Sequence, residues 1–381
     1  QETELEIICD VEVFYRALKA ADLNHSIIGI TGTNGKSTTT ALIGHILKDN
    51  DVPCAVGGNI GKPVMSLDVP EKDGWIVLEI SSFQLDLCRQ FRPDIGVLIN
   101  MVPDHLDRHG DMDGYVRAKT RMFQNGTQIA VIGVDNKVTR DIADKLDDED
   151  SRVERIIPVS IKNAVPKGVY DDDGKLIDKA FQDEATAIGK FSEITHLPGL
   201  HNRQNIIVGY AAARCVGLNT EKITASIQRF DGLPHRLFLT TTINGISYVN
   251  DSKATNIDSA KRALACFKKI YWIVGGRPKT DGLEGAEEYL ETIRHAFLIG
   301  EASDDFAKWF EKRGIDFTMC GTLEKAVDEA HEMAQSERGE PGGAGTVLLS
   351  PACASFDQYK SFEERGDHFV QLVDDLRDAE A

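Results

Sequence analysis

Ser26 to Leu47 reads SIIGITGTNGKSTTTALIGHIL: an apolar strand, a glycine-bearing loop, and a helix opened by Lys36, Ser37 and Thr38. In such a strand–loop–helix, successive backbone N–H groups and the positive end of the helix form a concave site for a nucleotide's phosphates. Gly32 and Gly35 remove side chains where phosphate must approach, and Thr33 and Asn34 fill the loop between them. Lys36 is placed to neutralise the terminal phosphates and Ser37 to ligate a magnesium ion. The full phosphate-loop pattern calls for glycine at position 30, where this chain has Ile30, so the loop is a short variant. A bare Gly-Thr-Asn-Gly-Lys-Ser turn that only joins and caps two elements is the alternative reading; the strand before and the helix after favour phosphate.

Outward from the loop, 11–20 reads as a helix leading in and 52–56 as a short strand, followed by a tight turn at 57–61. The run WIVLEI at 75–80 is continuously apolar and ends in an acid, the signature of a buried strand. Glu79 therefore falls near the carboxyl end of a central strand, where doubly wound sheets place their ligands. A second buried strand, 94–101, leads into PDHLDRHGDMDGY and a helix carrying Arg117, Lys119 and Arg121. A strand at 128–134, a helix at 136–146, a solvated acidic run at 147–150, and short strands with a hairpin turn at 171–175 follow. Helices are expected at 205–216 and 221–229. Around Gly232-Leu233-Pro234 the alternation restarts, with elements at 247–250, 259–267, 270–274, 296–299 and 347–350. The expectation is an α/β chain of two domains: 1–232, P-loop-like with a mostly parallel sheet and a lead-in at 1–24, and 233–381, smaller and Rossmann-like.

The 381 residues are long enough for two or three substantial cores, and 41% hydrophobic with 27% charged residues is ordinary for a globular protein. A net charge of −18, with no basic cluster to track a phosphodiester backbone, argues against a nucleic-acid partner. Seven scattered cysteines without a C-x-x-C pair suggest reduced thiols, and no apolar run approaches membrane-spanning length. The opening QETELEIICD is acidic rather than signal-like. These features imply a soluble cytoplasmic protein with no membrane partner.

The segments GTNGKST, GGNIG, LEISSFQLD, DHLDRHGDMDGYVRAK, GLHNRQN, GLPHR, NDSKATN, GGRPK and LLSPACASFDQYKSFEERG occur in the order seen in the Mur ligases, and from about Asp10 onward the chain resembles the D-glutamate-adding members. The resemblance implies an ATP-dependent ligase acting as a monomer. It phosphorylates the carboxylate of a UDP-linked muramoyl-alanine, giving an acyl phosphate, and lets the amine of D-glutamate displace the phosphate in peptidoglycan precursor synthesis. Family members resemble three domains in series, for uridine nucleotide, ATP and amino acid. Here the phosphate loop begins at Gly32, so the first domain is expected to be absent, and the chain is expected to bind ATP but to use the uridine-linked precursor poorly.

Residue by residue, the resemblance makes Ser37 and Glu79 ligands of a first magnesium and His105 a ligand of a second. It makes Lys119 a lysine that reacts with carbon dioxide to give a metal-holding carbamate. The strand-end position independently favours the magnesium role for Glu79, with an acid merely capping the strand end as the alternative; without the resemblance His105 reads as a loop histidine and Lys119 as a surface lysine. Asn59 and Ser81 resemble groups orienting phosphate, carboxylate and metal-bound water, with turn or capping roles equally open. Asn202 and Asn205 match adenine-contacting asparagines, with helix capping as the alternative. Arg236 and Asp251 resemble nucleotide contacts from the last domain. Lys253, Thr255, Lys279, Ser355, Phe356 and Phe362 are carried over as the D-glutamate pocket; the two phenylalanines also read as core. Outside the family reading, a P-loop kinase, another NTPase, or a truncated and catalytically impaired nucleotide-binding module remain open.

Overall fold

The computed structural model describes residues 5–23, 25–59, 61–71, 73–148, 152–194, 196–278, 282–339 and 343–380. The chain divides into two compact units, one of residues 1–195 with 200–230, the other of 231–381 with 196–199.

In the first unit the order is α1 (Asp10–Ala20), β1 (Ser26–Thr31), α2 (Lys36–Asp49), β2 (Cys54–Gly58), β3 (Trp75–Glu79), α3 (Ser82–Asp86) and β4 (Ile95–Leu98). There follow α4 (Leu106–His109), α5 (Met112–Gln124), β5 (Ile129–Gly133), α6 (Lys137–Leu146), β6 (Arg155–Ser160), β7 (Val169–Asp172), β8 (Lys175–Asp178), β9 (Thr186–Lys190), α7 (Leu200–Cys215) and α8 (Thr220–Gln228). Among the described residues the strands form one sheet in the order β2-β3-β1-β4-β5-β6-β7-β8-β9. The sheet is parallel from β2 through β7, and β8 and β9 add an antiparallel edge. β1 lies between β3 and β4, and its residues from Ile27 onward are buried, as a continuous apolar run covered on both faces must be.

Two helices, α5 and α7, bring polar side chains up to the β1–α2 loop. α5 starts at Asp111, whose carboxylate accepts the Gly114 N–H at 2.7 Å. It buries Tyr115, Ala118, Lys119, Met122 and Phe123, a stripe at helical spacing that carries Lys119 into the interior with its apolar neighbours. α7 packs against α2 and is buried nearly all round, so the polar residues near its start are enclosed as well. It begins at Leu200, earlier than the sequence suggests, because LHNRQN continues the helix instead of preceding it.

The second unit runs β10 (Phe238–Ile243), β11 (Ile246–Asn250), α9 (Ile257–Leu264), β12 (Ile270–Gly275), β13 (Ile293–Ile299), α10 (Ser303–Glu311), β14 (Phe317–Gly321), α11 (Leu323–Ser336), β15 (Thr346–Leu349) and α12 (Phe362–Glu380). Its described strands order as β10-β11-β15-β12-β13-β14, parallel except for the β10–β11 hairpin. Apolar clusters cover both faces of this sheet, one around Trp272 and Phe310, the other around Tyr248 and Phe369. No described helix is long and apolar enough to cross a membrane.

Candidate active site

The β1–α2 loop has the geometry of a phosphate cradle. Gly35 precedes α2 in the left-handed region at φ 83° and makes no side-chain cap, so the positive end of the helix faces the loop. A Cβ on Gly35 would lie 2.2 Å from Asn205 Oδ1, so both space and backbone conformation require glycine there. Lys36 Nζ donates to the carbonyls of Gly32 at 3.0 Å and Thr33 at 2.9 Å, folding back over the loop. Ser37 is buried in the first turn and Thr38 half-buried beside it.

Glu79 ends β3, paired with Ile30 near the end of β1. It is only 2% exposed; Asn59 Nδ2 donates to its Oε1 at 3.1 Å, while its buried Oε2 has no hydrogen-bond partner among the described residues. A buried carboxylate oxygen left this way is a ready ligand for a cation. Lys119, 1% exposed, donates to Thr31 Oγ1 at 3.2 Å and to the Gly32 carbonyl at 2.9 Å, directly beneath the loop. Burial, and then the charge of Lys36, lower its pKa from 10.5 to about 7, with Asp104 and Glu79 opposing. The surface reading of Lys119 is thereby excluded. The residues present fit a magnesium-bound nucleotide: a helix end for phosphate, a cation on the loop, and an unpaired buried carboxylate oxygen beside it.

Other expected residues fall around this centre with different roles. His105 sits in the left-handed region at φ 52° before α4, with Nε2 3.5 Å from Asp104 Oδ2 and its ring 5.1 Å from that of Phe83. Ser81 forms a complete capping box with Gln84, so its hydroxyl serves α3, as the capping alternative holds. Asn202 and Asn205 lie inside α7, and the capping alternative fails for them. Asn205 Nδ2 donates to Asn202 Oδ1 at 3.0 Å, and Asn205 Oδ1 accepts from Thr39 of α2 at 3.2 Å.

In the second unit Asp251 follows β11, fully enclosed, accepting from the Leu237 N–H at 3.2 Å and from Ser350 Oγ at 2.8 Å. Burial raises its pKa from 3.8 to about 7, against those two hydrogen bonds. With both oxygens so engaged, Asp251 fixes the turn that presents Arg236. His235 and Leu237, on either side of Arg236, hold φ values of 61° and 46°, a strained arrangement for side chains of this size. Lys253 N donates to the His235 carbonyl at 3.0 Å, and Lys253 Nζ lies 3.7 Å from the centre of the Phe362 ring. Thr255 N donates to the Lys253 carbonyl at 2.8 Å, and Ser355 is buried. Phe356 is 61% exposed, which overturns its core reading, and Lys279 lies outside the described residues.

The Mur ligase middle-domain model matches residues 30–213 and the Mur ligase glutamate-ligase-domain model residues 235–353. The chain is 43% identical over 98% of its length to the UDP-N-acetylmuramoylalanine–D-glutamate ligase of Rhodospirillum rubrum, covering 77% of that protein. It is 44% identical over 97% of its length to the ligase of the same name from Rhizobium johnstonii, again covering 77%. The chain belongs to the Mur ligase family. Solved structures agree in fold with this Mur ligase. A UDP-N-acetylmuramoyl-L-alanyl-D-glutamate–2,6-diaminopimelate ligase matches at TM-score 0.67 and 20% identity, over 96% of this chain and 82% of that one. The MurF ligase of Thermotoga maritima in complex with ADP matches at TM-score 0.63 and 18% identity, over 100% and 88%.

The residues that sequence reading missed in this Mur ligase are those that hold the loop from behind. Asn100, just past β4, accepts the Asn34 N–H at 2.9 Å through Oδ1 and donates to Gln204 Oε1 at 2.7 Å; its own carbonyl accepts the Thr33 N–H at 3.0 Å. Gln204 in turn donates to Asp135 at 2.9 Å. Thr33 Oγ1 meets Tyr115 Oη at 3.2 Å, tying the loop to the helix that bears Lys119. A polar residue closing the apolar run IGVLIN was the one signal available for Asn100.

Proposed function

We propose that this Mur ligase joins D-glutamate to UDP-N-acetylmuramoyl-alanine with ATP, in peptidoglycan precursor synthesis. The observation that carries the reading is the kinship, over nearly the whole chain, with ligases of that name. The geometry supports the chemistry. In the first unit the start of α2, from Gly35 to Thr38, receives the phosphates while Asn100 holds the N–H groups of Thr33 and Asn34, and Lys36 swings from the two loop carbonyls it now contacts to the γ-phosphate. Asn205, beside Gly35, and its partner Asn202 would contact the adenine.

Ser37 and Glu79 would hold one magnesium ion, and His105 with Lys119 a second. Magnesium, when bound, screens and polarises the γ-phosphate for transfer to the muramoyl-alanine carboxylate. Among the described residues no three His, Cys, Asp or Glu side chains gather as a metal cage, and magnesium commonly completes its shell with waters and phosphate oxygens. Lys119 supplies a further donor as a carbamate: its neutral amine forms an N–C bond to carbon dioxide as one C=O π bond opens, the N–H proton passes to solvent, and the side chain becomes a bidentate anion. Asn59 keeps the Glu79 carboxylate oriented through its hydrogen bond to Oε1. In the second unit Lys253, Thr255, Lys279 and Ser355, with Phe356 and Phe362, offer cations, hydroxyls and apolar walls to the two carboxylates and the side chain of D-glutamate. Within the same unit, Arg236 is presented by the turn that Asp251 braces.

Phosphate release and product mass test this together. Release should require ATP, the UDP-linked precursor and D-glutamate at once, with an amide product heavier by one glutamyl residue. Phosphate release without D-glutamate would favour an NTPase, and a stable phosphorylated product a kinase; either outcome overturns the ligase reading.

A further inference from the structure

Cys9 and Cys88 are far apart in sequence, yet their sulfurs meet in the first unit at 3.6 Å, both buried. Cys9 immediately precedes α1, and Cys88 lies just past the end of α3. The two segments are fixed to each other by contacts that do not involve sulfur. The fully buried Glu12 carboxylate accepts the backbone N–H groups of Arg89 at 3.0 Å, Gln90 at 2.9 Å and Phe91 at 3.0 Å, and Arg16 Nε at 2.8 Å. Asp10 Oδ1 accepts Gln84 Nε2 at 2.9 Å. The thiols are therefore held in van der Waals contact by a frame that persists without them, and bonding requires the sulfurs to close by roughly 1.5 Å.

Cys9 is suited to react first. The Cys88 thiol hydrogen-bonds to it and, with the N–H groups of Glu12 and Val11 at the start of α1, draws its pKa below the ordinary thiol value despite burial. The same hydrogen bond, then burial, raise that of Cys88. Of the two sulfur-bearing residues Cys9 keeps the larger share of exposed surface, 9% against 5%, and is the one a small oxidant meets first.

We propose that Cys9 and Cys88 form a reversible disulfide that staples the start of α1 to the end of α3. With hydrogen peroxide as oxidant, the Cys9 thiolate attacks one peroxide oxygen and the O–O bond breaks. The departing hydroxide takes up the thiol proton as water, leaving a sulfenic acid on Cys9. Cys88 then attacks the Cys9 sulfur: the S–S bond forms, the S–O bond breaks, and the hydroxyl leaves with the Cys88 proton as a second water. Two thiols are oxidised and one peroxide is reduced. A dithiol reductant reverses the bond by exchange. The staple braces one side of the candidate active site, because α3 carries Ser82, whose Oγ lies 3.0 Å from His109 Nε2, and Phe83, which packs on His105.

The test uses the full chain. After mild peroxide treatment, alkylation and digestion, mass spectrometry should find one cross-linked peptide pair joining Cys9 to Cys88, lighter by two hydrogens, with the other cysteines alkylated. Closing so long a loop should raise the thermal transition of the first unit by about 5 °C or more, reversibly with dithiothreitol. Cys88→Ser and Cys88→Ala should show neither effect, and neither should Cys9→Ser where it folds. Alkylation of both thiols after peroxide, sulfinic acid at either in place of the cross-link, or a cross-linked protein whose transition is unmoved or lower would overturn the proposal.

Discussion

Lys119 is a cation placed where water does not reach, and that burial gives it chemistry. Between about 7 and 10.5 its amine is neutral in the native chain and protonated in the unfolded one. The cost of enclosing it therefore falls away as pH rises through that window, and is felt in full below about 7. Carbamate formation needs the neutral amine, so in bicarbonate-containing buffer the ligation rate should rise with pH across about 7, following one proton. Lys119→Ala should lower turnover by about 100-fold or more, as removal of a preorganised charge does. Acetate or formate should restore part of that loss by standing where the carbamate stood. A fully active alanine variant would reduce Lys119 to a packing residue. Glu79→Gln tests the neighbouring oxygen: the amide keeps the shape and one acceptor for Asn59, but is a poor cation ligand. The magnesium concentration for half-maximal activity should rise by about 10-fold or more, with the thermal transition little changed; an unchanged magnesium requirement would take Glu79 out of the metal site.

The phosphate loop works because the elements behind it leave it little freedom. Gly35→Ala would drive a methyl into Asn205 and force a left-handed backbone onto alanine, so it should cost about 1–3 kcal/mol of stability and abolish nucleotide binding. Asn100→Ala is the milder probe. It unpairs the Asn34 N–H and Gln204, costing about 1–3 kcal/mol, and should raise the KM for ATP more than it lowers kcat; a kcat effect alone would mean Asn100 does more than position the loop. These elements differ in how legible they were in the sequence. The β1–loop–α2 unit and buried β3 are local patterns, readable from periodicity and glycine placement. The burial of Lys119 was also within reach, because Tyr115, Ala118, Met122 and Phe123 surround it at helical spacing, yet a lysine's ordinary hydration argues for the surface until the stripe is counted. The Asn100–Gln204–Asp135 chain was out of reach, since residues so separated meet only through sheet order and the docking of α7. The early start of α7 escaped for a related reason: His201 and Asn202 are weak helix formers locally, and tertiary packing overrides that preference.

Each unit has its own sheet and its own apolar core, so ligands and protons should act on them separately. A non-hydrolysable ATP analogue with magnesium at about 100 times its Kd adds about 2.7 kcal/mol to whatever binds it, enough to raise a transition of a domain this size by roughly 5–10 °C. That shift should belong to the first unit and vanish in Lys36→Ala, whose fold has lost no core contact. Protons should address the second unit through Asp251. Its carboxyl, ordinarily near 3.8, titrates at about 7 in the native chain. Between those values the native state holds a proton that the unfolded chain has released, so stability falls as pH rises through the window. The contribution is complete below 3.8 and gone above about 7, on the order of a few kcal/mol in all. Asp251→Asn should flatten this dependence, because the amide oxygen still accepts from Leu237 while its nitrogen donates to Ser350. Melting curves of the two proteins from pH 4.5 to 8 decide the point: parallel curves would mean that another group carries the proton, whereas convergence at low pH and separation at high pH would place it on Asp251.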